Sequence, residues 1–213
     1  MHTTDCYGGI TLGAFAGGRL VGYSYALPGF DGARPFLLSC GLAVAQACGS
    51  RGVGEALKRA QAQRASRAGY DLIRWTTNSL ASRPLHLYLS KLGARLVGYR
   101  AEMYAGLRED VFCDEVEIEW DLRRAPAAPA AESPVPLIVT RDPGAGVTSL
   151  TAPSYAVEIP WDRAALARRS PQLAREWVAA ARSVMRALLA AGYVGTAVIA
   201  DRRIERSSVR FDR

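Results

Sequence analysis

The stretch that most constrains this chain is an almost unbroken apolar run, Phe36–Val44. Gly49-Ser50-Arg51-Gly52-Val53-Gly54 follows within a few residues, and then the periodicity becomes helical. A run that is nearly all apolar predicts a central strand. The helix that follows runs from about Gly52 to Ala68, with Val53, Ala56, Leu57 and Ala60 on one face and Lys58, Arg59 and Gln63 on the other. Glycines at a helix start let the backbone come close to a ligand. The first-turn N–H groups and the positive helix end then favour an anion. A phosphate loop of the nucleotide-hydrolase kind is excluded, because no Lys-Ser or Lys-Thr follows Gly54. A dinucleotide fold is disfavoured as well, because the preceding strands read as a meander rather than β-α-β.

The meander begins with Ile10–Phe15, turns at Gly17-Gly18 and returns through Leu20–Leu27. Pro28-Gly29 and Asp31-Gly32 mark the turn into the apolar strand. After the helix, Asp71–Thr76 reads as a strand. A second helix opens at Ser82-Arg83-Pro84, with Leu85, Leu89 and Leu92 on one face. Ala94–Tyr104 and Val116–Leu122 are two further strands. Residues 124–136 form a proline- and alanine-rich linker. Beyond it come strands at Leu137–Thr140 and Ser154–Ile159, and a long helix from Ser170-Pro171. Leu173, Trp177, Ala181, Val184 and Leu188 line one side of that helix, with Arg175, Arg182 and Arg186 opposite. A closing hairpin, Val194–Ala200 with Ile204–Phe211, ends the chain. Trp161 and Trp177 are expected in the core.

Arg51-Gly52-Val53-Gly54, placed between a buried strand and a helix, resembles the last four positions of the GNAT acyltransferase signature. The first signature position, Arg or Gln in the family, falls on Gly49. Gly52–Lys58 followed by Gln61, Trp75-Thr76, Lys91–Ala94 and Glu119–Leu122 are similar to a bacterial branch of GNAT acetyltransferases that carries a C-terminal extension. The resemblance implies an α+β fold, with a mixed, mostly antiparallel central sheet flanked by helices. It divides the chain into a GNAT-like domain at 1–123, short at its N-terminus, the linker at 124–136, and an α/β extension at 137–213. That extension is expected to pack on the GNAT domain or on a dimer mate.

The resemblance also implies a site. Backbone groups of Leu42 and Val44 would bind the pantetheine arm of acetyl-CoA or another acyl-CoA, and Gly49, Ser50, Arg51, Gly52, Val53 and Gly54 would cradle its pyrophosphate. A small acceptor would attack the thioester directly. The alternative is a degenerate module that binds coenzyme A without catalysis. In its favour, the tyrosine that many members use to protonate the thiolate is replaced by Leu89. Tyr88 lies one helical step, about 100°, away and is expected to face elsewhere, in the core or an interface.

No residue of the sequence stands out as the catalytic base. Glu102 and Tyr104 alternate on the strand after the second helix and share a face, so they are the candidates, against a reading of that face as solvated. His86 is expected to be a surface or hydrogen-bonded structural residue. Glu115, Glu117 and Glu119 recur at about 7 Å and are expected on the wet face of an edge strand.

All but two of the 27 basic residues are arginine, the exceptions being Lys58 and Lys91, and the net charge is +7. With no lysine-rich tract and no recognition motif, this charge reads as a solvated surface rather than a nucleic-acid site. Cys6, Cys40, Cys48 and Cys113 show no C-x-x-C pair, and with only His2 and His86 they argue against a metal site and for buried free thiols. No leader or membrane span is recognisable, which makes the expected location cytoplasmic.

Overall fold

The computed structural model describes residues 5–49, 51–103, 114–124, 136–138, 150–201, 203 and 205–213. The chain divides into two compact units, Met1–Trp75 with Glu119–Pro126, and Thr76–Ile118 with Ala127–Arg213. Each is a layer of strands, mostly antiparallel, covered by helix.

In the first unit, β1 (Ile10–Ala16), β2 (Arg19–Phe30) and β3 (Pro35–Val44) form an antiparallel meander, and β4 (Leu72–Asn78) pairs through its first half with β3 in parallel. Pro28-Gly29 do not turn the chain. Pro28 pairs with Leu37 and Gly29 with Phe36. The turn falls at Asp31, whose carboxylate accepts from the N–H groups of Ala33 and Arg34 at 3.0 Å. An Asx side chain that bonds amides two and three residues on mimics a backbone turn and so fixes one here. Helix α1 (Val53–Arg67) packs against β1, β2 and β3.

The inward face of α1 is not the apolar one that its periodicity predicts. Leu57, Lys58, Gln61 and Ala65 are buried, whereas Ala56 is exposed. The amphipathic reading assumed that a lysine faces water, and this one does not. The thiols also depart from expectation: Cys6 and Cys40 are exposed and Cys48 is half-buried, while Cys113 lies outside the described residues.

In the second unit the strand order is β6-β5-β9-β10-β8-β7. It comprises β5 (Arg95–Arg100), the start of β6 (Glu115–Asp121), β7 (Leu137–Ile138), β8 (Ser154–Pro160), β9 (Val194–Asp201) and β10 (Arg206–Asp212). Helix α2 (Ser82–Leu85) runs on as a π-helical turn, His86–Lys91. A short helix that the periodicity did not reveal, α3 (Arg163–Arg169), precedes α4 (Pro171–Ala190). Asp162 caps α3 and Ser170 caps α4, each accepting a first-turn N–H.

Helix α4 lies on β5 and β8. Trp177, Val184 and Leu188 are buried there, each contributing about 1.5–3 kcal/mol before entropy. Leu173, expected on that face, is instead 36% exposed, and Trp161 is half-buried. No helix among the described residues is long and apolar enough to cross a membrane.

Glu115, Glu117 and Glu119 do not form the wet face of an edge strand. Glu115 is buried. Glu117 pairs with Arg100 at 2.6 Å and Glu119 with Arg74 at 2.7 Å. Arginines from the flanking strands turn a row of like charges into cross-strand pairs, which a single strand's sequence does not display.

Candidate functional site

The site begins where β3 and β4 separate. Their ladder consists of two register pairs, Leu37 with Ile73 and Leu38 with Arg74. Arg74 anchors the last pair, donating to Asp31 and to Glu119 at 2.7 Å each while its guanidinium covers the Phe36 ring. From Ser39 onward, β3 makes no ladder with β4, although it stays paired to β2 as far as Val44. Leu42 and Val44, half-buried, lie on that stretch. The β2–β3 register shifts between Tyr25 and Ala26, which leaves Cys40 as the extra residue of a bulge. A bulge re-aims the backbone locally and is common beside functional sites. Gly41 follows it, and a Cβ there would sit 2.4 Å from the Tyr25 ring, so the ring's position requires glycine.

Beyond Val44 the chain makes a 3₁₀ turn, Gln46–Cys48, and reaches α1. Gly52 is the helix cap, at φ +81°, a conformation that favours glycine. Among the described residues nothing crowds it and no side chain caps the helix, so the first-turn amides of Val53 and Gly54 stand at an open helix start. Arg51 and Gly49 are exposed, and Ser50 lies outside the described residues. Gly49 has an ordinary φ of −58°, so its backbone does not demand glycine.

Beneath the separation sits Lys58, only 1% exposed. Its Nζ donates to Ser39 Oγ at 2.8 Å, lies 3.5 Å from Gln61 Oε1, and stands 3.7 Å above the Trp75 ring. Burial brings its ammonium down to about 7, opposed weakly by the Cys40 thiol. Although the residue is exposed overall, partial desolvation pushes the Cys40 thiol up. Nothing in the hydrophobic periodicity points to Lys58. The one available signal is compositional: a chain that uses arginine almost everywhere keeps a lysine here, where a compact, deprotonatable ammonium differs most from a guanidinium.

The other candidates fall in the second unit. Glu102 is not on a strand. It occupies a turn after β5 at φ +54°, and its carboxylate accepts from Arg182 at 3.0 Å. Tyr104, its expected strand partner, lies outside the described residues. The buried Asp114 organises this corner. Arg182 grips it through both oxygens at 2.8 and 2.9 Å, Tyr99 donates at 2.6 Å, and the Glu102 amide donates at 2.9 Å. Burial works against the Asp114 charge, but these donors outweigh it and hold the carboxyl below its usual range. Arg182, expected to face solvent, is therefore an inward anchor.

Tyr88 and Leu89 are both buried. A π-helical turn is wider than an α-turn, so adjacent residues can share its inner side. Burial, then the charge of Glu115, pushes the Tyr88 phenol up to about 12. Half-buried His86 has its Nδ1 shielded and without a hydrogen-bond partner among the described residues, unlike the expected surface or hydrogen-bonded histidine.

The yncA structure from Salmonella typhimurium, solved with its cofactor acetyl-CoA, matches 61% of this chain and 73% of its own, at 21% identity and a TM-score of 0.51. The chain has the GNAT acyltransferase fold. Also similar are a GNAT family acetyltransferase from Elizabethkingia anophelis with acetyl-CoA bound (19% identity, 56% of this chain and 82% of that one, TM-score 0.48) and an acetyltransferase from Bacillus subtilis in complex with CoA (23%, 56% and 82%, 0.48). No protein-family model and no curated protein matches the sequence.

Proposed function

We propose that this protein is an acyl-CoA-dependent acyltransferase, with acetyl-CoA as donor and a small molecule as acceptor, working by direct transfer. The observation that carries the reading is the short β3–β4 ladder beside a glycine-capped helix. From Ser39 to Val44 one strand has no ladder on its β4 side, and at its end the helix start offers amides to a phosphate. Together they suit a ligand with an amide-bearing arm and a diphosphate, which is the form of coenzyme A. The similar yncA structure, solved with acetyl-CoA, supports the same donor.

Gly52→Val tests the reading. Valine is strained at φ +81° and would obstruct the helix start, so acetyl-CoA affinity measured by calorimetry should fall at least tenfold, about 1.4 kcal/mol. Absence of binding heat with wild-type protein would overturn the reading itself. A second reading, a module that binds coenzyme A without transferring the acyl group, is favoured by one observation: buried Leu89 stands where the resemblance places the thiolate's proton donor. Acetyl-CoA binding without release of coenzyme A across a panel of amines would favour it.

A further inference from the structure

Lys58 has no assigned task in the acyl-CoA reading, yet the geometry of the first unit converges on it. Leu38 and Arg74 are the last paired residues of β3 and β4, and the next residue on each strand, Ser39 and Trp75, touches the Lys58 ammonium. The bulged Cys40 follows directly. Lys58 therefore forms the floor at the point where the two strands part. Around it stand Ser39 and Cys40 from β3, Trp75 from β4 and Gln61 from its own helix. Gln61 Nε2 and, on β2, Ser24 Oγ are also buried and lack hydrogen-bond partners among the described residues. A leucine or methionine would fill the space without the cost of burying a charge. Packing alone therefore does not account for a lysine.

We propose that Lys58 is a catalytic residue whose ammonium faces the sulfur of an acyl thioester lodged between β3 and β4, and protonates the thiolate as it leaves. This rests on the acyl-CoA reading above. In the step, the acceptor's amine nitrogen bonds to the thioester carbonyl carbon and the carbon–sulfur bond breaks. The bonding pair goes to sulfur, and a Lys58 proton follows it, giving the free thiol. The acylated nitrogen then releases its surplus proton, which returns to neutral Lys58 directly or through water. No outside oxidant or reductant is needed. An ammonium near 7 holds both forms at neutral pH, which transfer in both directions requires.

The test uses coenzyme A itself, so it does not depend on knowing the acceptor. The bound thiol is titrated by its ultraviolet thiolate absorbance, as the difference between complexes with coenzyme A and desulfo-coenzyme A. In wild type the bound thiol should ionise at least tenfold more readily than in Lys58→Met. Lys58→Arg, which keeps the charge, should retain most of that effect and covers the case in which Lys58→Met does not fold. Identical thiol titration in wild type and a folded Lys58→Met, with coenzyme A affinity preserved in both, would overturn the role of Lys58 and leave the acyl-CoA reading standing. Failure of wild-type protein to bind coenzyme A at all would overturn both.

Discussion

Asp114 and Lys58 are each 1% exposed, and the protein treats the two charges in opposite ways. Asp114 receives a bidentate guanidinium, a phenol and a backbone amide, so its charge is met at every side. Lys58 receives a hydroxyl, a distant amide oxygen and an indole face, and its proton is held loosely. Full compensation fixes a charge and makes it architectural. Burial that outweighs the compensation leaves a proton that can move. The difference separates a corner built to hold β5, β6 and α4 together from one suited to chemistry.

The comparison breaks most sharply at Arg182. Arg182→Ala strands a buried carboxylate, and stability measured by denaturant unfolding should fall by about 3–5 kcal/mol. The Asp114 carboxyl is depressed in the folded state. Its contribution should therefore be present above the unfolded carboxylate value of about 4 and vanish as pH falls below it. A loss under about 1 kcal/mol would mean that the network is ornamental.

Lys58→Met should act in the other direction, raising stability by about 1–4 kcal/mol near and below pH 7, where the native state still carries the buried charge. Between about 7 and the unfolded lysine value of roughly 10.4, the unfolded chain keeps a proton that the native one has lost. Wild-type stability should therefore gain on that of Lys58→Met as pH rises across that window, the groups common to both proteins cancelling in the difference. Parallel pH profiles would show that Lys58 is compensated as fully as Asp114.

The smallest effect is expected at Glu102. Its side chain is 63% exposed and pairs with Arg182 at the rim, so Glu102→Gln should change stability by less than about 1 kcal/mol. If Glu102 is nonetheless a general base, turnover with an identified acceptor should drop on the order of 100-fold. Unchanged turnover would remove it from the candidates.

The order of elements was legible because local rules govern it. Glycine turns, the apolar β3 run, the glycine at the start of α1 and Ser170 before Pro171 each signal a boundary within a few residues. Features set by partners distant in sequence were not legible. Glu117 and Glu119 looked solvated until Arg100 and Arg74 arrived from neighbouring strands. Arg182 looked like a surface residue because Asp114 is 68 positions away. The bulge at Cys40 depends on the β2 register, and the burial of Lys58 depends on Ser39 and Trp75 lying above it. Helical periodicity sorts residues by polarity, so it assigned Lys58 to the wrong face.

The rarity of lysine gives the molecule a built-in reporter. Lys91 is exposed, while Lys58 is sealed beneath β3 and β4. An amine-directed label added near neutral pH should mark Lys91 early. It should reach Lys58 only when the floor of the first unit opens, so the lag between the two peptides in a digest would time that opening without any engineered probe.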